Sequence, residues 1–387
     1  MWTLGEAEKR NGVVFTKPMK ISHKLTLLLS LQVSFSALCL ERVAAADPVS
    51  IMAFNQANAL NSEMFQNQWG QRVAGAAEDV GPVNTVAASD KNTKNPLIVS
   101  AAPNRWNFFV DGNGIFAQEA GPQTHFKING GGVTAGLSYQ WNPSVKTGLY
   151  AGYQGSQLTQ NLTFNGLVPA TEKFILTDNA ARFGLFGSYG QADGKGFYAL
   201  GLVGGTYHQF TVSDQYEAPS FGMSPNKFKV NSSANVGAPE LDSMAAGGYD
   251  FKVKGFTFGP TTSLQYTYYY QNDVNVLTTF PPSPTGSWTH GGNYNTSSVL
   301  YSLGGHAAYT WQAAQDLVIV PQINLNWQHE FLETIYTPSQ YRDALYTGVG
   351  VTADYKKRYT ASFFYNCYAC NQDLISQNIF LSLGVNF

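Results

Sequence analysis

Beyond Arg105 the chain alternates apolar and polar residues at period two. The clearest run is its end. Phe387, Val385, Leu383, Leu381 and Ile379 are apolar, Asn386, Gly384 and Ser382 lie between them, and Phe380 is the one large apolar residue out of phase. In a strand these two sets fall on opposite faces. The same pattern recurs upstream. Val133, Ala135, Leu137, Tyr139 and Trp141 oppose Thr134, Gly136, Ser138 and Gln140. Phe256, Phe258, Leu264, Tyr266, Tyr268 and Tyr270 oppose Thr257, Gly259, Thr261, Ser263, Gln265 and Thr267. Leu317, Ile319, Ile323, Leu325 and Trp327 oppose Gln322, Asn324, Asn326, Gln328 and Glu330.

This alternation predicts twelve strands, near 105–116, 130–141, 145–157, 178–190, 196–210, 242–253, 256–270, 298–312, 316–331, 344–355, 358–368 and 376–387. Most reach the roughly 9–11 residues that a tilted strand needs to cross a bilayer. Their connections alternate in length. Short turns fall at 142–144, 191–195, 254–255, 313–315 and 356–357. Long loops are expected at 158–177, 211–241, 271–297 and 332–343, with moderate ones at 117–129 and 369–375. Short turns on one side and long loops on the other are the arrangement of a transmembrane β-barrel. An even strand count then puts both ends of the barrel on the short-turn, periplasmic side. The expected fold is all-β: an antiparallel barrel of about twelve strands, apolar outside and polar inside.

Aromatics cluster at strand ends and predict interfacial girdles. Trp106, Trp141, Trp311, Tyr355 and Phe387 fall on the periplasmic side; Tyr268, Tyr270 and Trp327 fall on the other. Two places resist the pattern. The fifth strand, 196–210, is apolar on both faces and has no preferred orientation. Pro321 sits on an outward face and requires a position where no ladder donor is needed.

The residues before the barrel read differently. Leu60, Met64, Phe65, Trp69 and Val73 recur at helical spacing, which predicts a helix over 52–78. Residues 79–104, rich in Ala, Asn, Pro, Thr and Val, read as a linker. Farther upstream, Lys20, His23 and Lys24 precede an apolar stretch over 25–40, and Ala44-Ala45-Ala46 follows. That is the layout of a secretion signal with cleavage before Asp47. The stretch is short for a spanning anchor. Residues 1–18 sit ahead of the signal, and Met19 is the better start. The expected organisation is therefore 1–46 as extension and signal, 47–104 as helix and linker, and 105–387 as barrel.

Composition agrees. Charged residues are 12% of the 387, about half the usual share, and aromatics reach 14%. A net charge of −2 gives no reason to expect nucleic acid as a partner. Of three cysteines, Cys39 lies in the signal, while Cys367 and Cys370 form a lone C-x-x-C, read as a small local disulfide or two free thiols. No catalytic, cofactor or metal grouping emerges. His329-Glu330 lacks the second His of a zinc helix, and Gly187-Ser188-Tyr189-Gly190 departs from a nucleophile elbow. Arg182, Asp250, Lys252 and His306 read as pore-lining ion pairs, and Arg182, Gln265, His306, Gln322, Asn324 and Asn326 as lumen-facing candidates.

Several strings resemble the translocator domain of the autotransporters of type V secretion. They are Val110 to Gly114 with Gly132-Val133-Thr134-Ala135-Gly136-Leu137, Gly247-Gly248-Tyr249-Asp250-Phe251, Phe258-Gly259-Pro260 leading to Leu264-Gln265-Tyr266, and Leu325 to Phe331 after Pro321. The resemblance covers about 105–387. It implies an outer-membrane location in contact with lipid, a helix lodged in the pore, and a monomeric barrel. It also implies that the barrel assembly machinery reads the last strand, through Phe387, Val385, Leu383, Leu381 and Ile379. The chain departs from the family in having almost no passenger between Asp47 and the helix, and no Asn-Asn pair near it for self-cleavage. Two functions follow: a translocator carrying little or no passenger to the cell surface, or a stand-alone outer-membrane pore. A third, an outer-membrane enzyme, lacks any triad.

Overall fold

The computed structural model describes residues 47–77, 105–120, 125–164, 170–191, 194–218, 228–279, 286–332, 342–369 and 374–387. The expected signal, the linker over 79–104 and Cys370 lie outside these residues. Among the described residues, fifteen strands follow one helix, α1 (Asp47–Ala77). They are β1 (Trp106–Ala120), β2 (His125–Asn142), β3 (Val145–Phe164), β4 (Ala170–Gly190), β5 (Gly196–Ala218), β6 (Phe228–Val253), β7 (Phe256–Gln271), β8 (Val274–Thr279) and β9 (Gly286–Gly291). β10 (Tyr294–Tyr309), β11 (Trp311–Ala314), β12 (Leu317–Glu330), β13 (Asp343–Tyr355), β14 (Tyr359–Ala369) and β15 (Leu374–Asn386) complete the sheet.

Each neighbour pairs antiparallel, β5 pairs β6, and β1 pairs β15, so the sheet closes on itself. β8 continues the line of β7 along β6, and β9 and β11 continue the two ends of β10, which leaves twelve staves. Closure matters because an open edge in hydrocarbon leaves backbone groups unsatisfied. At the seam Trp106 N–H donates to Phe387 O (3.1 Å) and Phe387 N–H to Trp106 O (2.8 Å).

The outward face is apolar through the membrane zone. Phe183, Leu185, Phe197, Leu264, Ile323, Leu325, Val349, Ile379, Leu381 and Leu383 are all exposed there. The periplasmic girdle residues Trp106, Trp141, Trp311, Tyr355 and Phe387 are exposed as well. Strand β5 now has an orientation: Tyr198, Leu200, Leu202 and His208 point inward, while Phe197, Val203 and Tyr207 point outward. Its inward apolar residues pack inside the barrel, which explains the two apolar faces. Pro321 points outward opposite the break between β10 and β11, where Tyr309 and Thr310 make no ladder pair with β12.

Three expected long loops are instead strand. β3 and β4 run through most of 158–177, β5 and β6 through most of 211–241, and β8–β9 occupy part of 271–297. The physical reason is an inversion of polarity along each stave. Beyond the membrane zone of β4, Thr171 and Lys173 point outward, and Phe174 and Leu176 point inward. On β5, Gln209 and Thr211 point outward while Phe210 and Val212 are buried. In water a strand hides its apolar side; in lipid it shows it. The surplus therefore stands above the bilayer as a water-facing collar with an apolar inside.

Candidate functional site

Helix α1 begins at Asp47, with Pro48 behind it, earlier than the apolar spacing alone indicated. Asp is a preferred cap and Pro a preferred first helical residue, so this pair extends the helix upstream of residue 52. Isolated helices are marginal in water, and this one gains its stability from packing inside the ring. Its described side chains from Met52 to Ala74 are all buried or half-buried.

Three apolar tiers hold it. At the collar, Met52, Ala53 and Phe54 join Phe126, Leu158, Phe174, Phe210 and Tyr269. In the middle, Met64 packs with Phe109, Tyr150, Phe186 and Leu202. Near the periplasmic mouth, Trp69, Val73 and Ala74 pack with Tyr198, Val318 and Val320. The helix thus runs with its N-terminal end at the collar and its C-terminal end at the periplasmic mouth. Fully burying a residue such as Met52 contributes about 1.5–3 kcal/mol.

Polar contacts fix rotation and depth. Gln56 Nε2 donates to Ser156 Oγ. Gln66 Nε2 donates to Tyr346 Oη (2.5 Å), and Asn67 Nδ2 donates to Ser382 Oγ (2.9 Å). Lys146 Nζ donates to Gln71 Oε1 (3.4 Å). Gly70 lies so close to β12 and β13 that a Cβ there would come within 2.6 Å of Gln322 Nε2 and 2.7 Å of Thr352 Oγ1. Two residues on, the charged latch forms. Arg72 ion-pairs with Asp250, and its guanidinium lies 4.7 Å from the centre of the Tyr198 ring. The same carboxylate meets His306 Nε2 at 2.6 Å; His306 Nδ1 is 3.2 Å from Tyr198 Oη, and its ring lies 4.2 Å from that of Trp69.

The six lumen candidates separate into groups. Gln322 and His306 lie against α1; Gln322 Nε2 also donates to Thr352 Oγ1 (3.2 Å). Gln265 and Asn326 are buried on the inward face and Asn324 is half-buried there; Gln265 Nε2 donates to Thr267 Oγ1 (3.3 Å). Arg182 is elsewhere, its guanidinium 5.2 Å from the Tyr150 ring centre, beside a small cavity with Asp111, Leu60 and Met64. Lys252 is half-exposed near the periplasmic turn. Among the apolar terminal residues, Phe387, Leu383, Leu381 and Ile379 are exposed outward and Val385 is half-exposed, while Phe380 is buried against Phe364, ring centres 5.9 Å apart. Cys367 is half-buried within β14.

Sequence reasoning missed a second buried cluster. His208 Nδ1 is 2.8 Å from Asp178 Oδ2, and His208 Nε2 is 3.5 Å from Glu240 Oε2. Strand parity alone places all three on the inward face; their meeting needs the registers of β4, β5 and β6. Beside the helix remains a cavity of about 40 Å³, lined by Gln66, Trp69, Gln322, Asn324 and Asn326. That is room for about three waters at roughly 10–15 Å³ each.

The sequence profile of the autotransporter beta-domain matches residues 108–366, more than half of the chain. No curated protein matches. Among solved structures, the translocator domain of the autotransporter NalP from Neisseria meningitidis is similar at a TM-score of 0.51 and 13% identity, covering 86% of this chain and 99% of that one. The beta domain of the Bordetella autotransporter BrkA gives 0.46 and 16%, covering 73% and 100%. The transport unit of AIDA-I from Escherichia coli gives 0.45 and 13%, covering 82% and 99%. The family match, together with a closed twelve-stave ring around a helix, places this chain in the autotransporter family, as an outer-membrane translocator barrel of type V secretion.

Proposed function

We propose that α1 is the plug of this translocator and the trailing end of the segment it exports. Residues up to Ala46 are the signal that is removed, and the new N-terminus at Asp47 faces the cell exterior. The barrel works as a monomer in lipid, is inserted by assembly machinery that reads β15, and has no catalytic role. The observation that carries this reading is the direction of α1, collar end first, with its charged latch at the periplasmic mouth. A chain that had passed outward through the bore and stopped would lie this way.

The six lumen candidates act in this reading as the seat and lining for the plug. Gln322 and His306 touch it, and Gln265, Asn324, Asn326 and Arg182 keep the wall wet and polar.

A stand-alone pore remains the second reading, and one fusion separates them. A small folded reporter placed between Ala46 and Asp47 is expected to become accessible to protease added outside intact cells. A reporter held in the periplasm would favour the stand-alone pore. In planar bilayers, full-length protein is expected to conduct poorly. Gly70→Leu should raise conductance, because the added side chain collides with Gln322 and Thr352 and forces α1 off its seat. Unchanged conductance would sink the plug.

A further inference from the structure

The wall of the lumen is acidic in a way the helix does not answer. Among the described residues nine Asp and Glu side chains are buried, every one on an inward face, against a single buried Arg or Lys, Arg182, and the buried His208 between Asp178 and Glu240. They line the whole bore: Asp354 and Asp250 near the periplasmic turns, Asp111 and Asp242 in the middle, Glu240 and Asp178 beneath the collar. The cations Lys146 and Lys252 share the inner wall only as half-exposed residues beside periplasmic turns. On α1, the only charged side chain described is Arg72, and it is spent on Asp250. Opposite Asp111 and Arg182 the helix presents Leu60 and Met64, across a small cavity.

A second feature is a patch of wall around Asp178. Asp178 and Tyr269 are 0% exposed, and Asp178 Oδ1 and Tyr269 Oη have no hydrogen-bond partner. Tyr269 is the register partner of Glu240, and His208 lies between Glu240 and Asp178, so both oxygens belong to one patch of wall. Buried polar atoms without partners are uncommon and costly. The described carboxylates are not arranged to hold a metal ion. A row of separated negative groups inside a low-dielectric wall does something else. It raises the local concentration of mobile cations and repels anions, as acidic rings do in cation channels.

We infer that the lumen is a cation-selective conduction path, opened when α1 leaves its seat. The inference uses the plug reading for the size of the current and not for its sign. Full-length wild type and Gly70→Leu are compared in planar bilayers across a potassium chloride gradient. The reversal potential is expected to move from zero toward the potassium equilibrium value. In the Gly70→Leu background, Asp111→Asn with Glu240→Gln should shrink that displacement, and Arg182→Gln should enlarge it. A reversal potential at zero or on the chloride side overturns the inference, and so does a complete lack of current in both proteins. A current that leans to potassium but is not raised by Gly70→Leu supports the inference while counting against the plug. If the neutralised variants fail to insert, the sign measured with the native wall still decides.

Discussion

Lys254 has φ of 49° and is followed by Gly255 at 86°, so the β6–β7 turn needs two left-handed residues in a row. Glycine accepts that backbone freely; an ordinary L side chain there costs roughly 1–2 kcal/mol. Asn-Gly is the favoured pair for such a hairpin. Lys254→Asn is therefore expected to stabilise the barrel by up to about 1 kcal/mol. The check is the temperature at which the folded gel band converts to the unfolded one. The latch sets a larger effect. Asp250 is fully buried, and Arg72→Ala leaves its charge without the cation that answers it. Breaking a buried pair costs about 3–5 kcal/mol. Arg72→Ala should loosen α1 and raise conductance, and adding Asp250→Asn should recover much of the loss. A double variant no better than the single one would show that the pair does not hold the helix.

At the scale of the strand, β15 matters through its outward row. Leu381 is half exposed and lies near the centre of the apolar belt. A lysine on the lipid face at mid-bilayer costs about 2–4 kcal/mol. Leu381→Lys is expected to lower the yield of heat-modifiable protein in the outer membrane. Ser382→Ala, one residue on and facing inward, should not, although it removes the acceptor of Asn67. Equal loss from both would mean that the row does not report lipid contact. The staves are legible in the sequence because lipid demands an apolar residue at every second position. That rule finds the inner halves of β3 to β6 and fails at their outer halves, where Lys173 and Gln209 face water and Phe174 and Phe210 turn inward. The helix is legible from Met64, Phe65, Trp69 and Val73. Parity also puts Gln265, His306 and Gln322 on the inner wall. The partnerships of Arg72 with Asp250 and of His208 with Asp178 are not legible, because each depends on registers set between segments far apart in the chain.

For the whole molecule, the reversal of polarity along β4 and β5 is a ruler. On β5 it falls between Tyr207 and Gln209, and on β4 between Phe183 and Lys173. Sliding the barrel outward by a few residues would lift Val203 and Tyr207 into water; sliding it inward would drag Gln209 and Lys173 into hydrocarbon. Each direction is uphill, so the ring is held at one height. Quenching by lipid-borne quenchers is expected to be strong for a probe at Val203, weak at Gln209 and negligible at Thr211. A smooth gradient extending past Thr211 would mean that the waterline lies elsewhere. With that height set, the mouth of the collar stands clear of the lipid headgroups by the length of the surplus strand. Whatever leaves the pore emerges into water above the membrane and not at its surface.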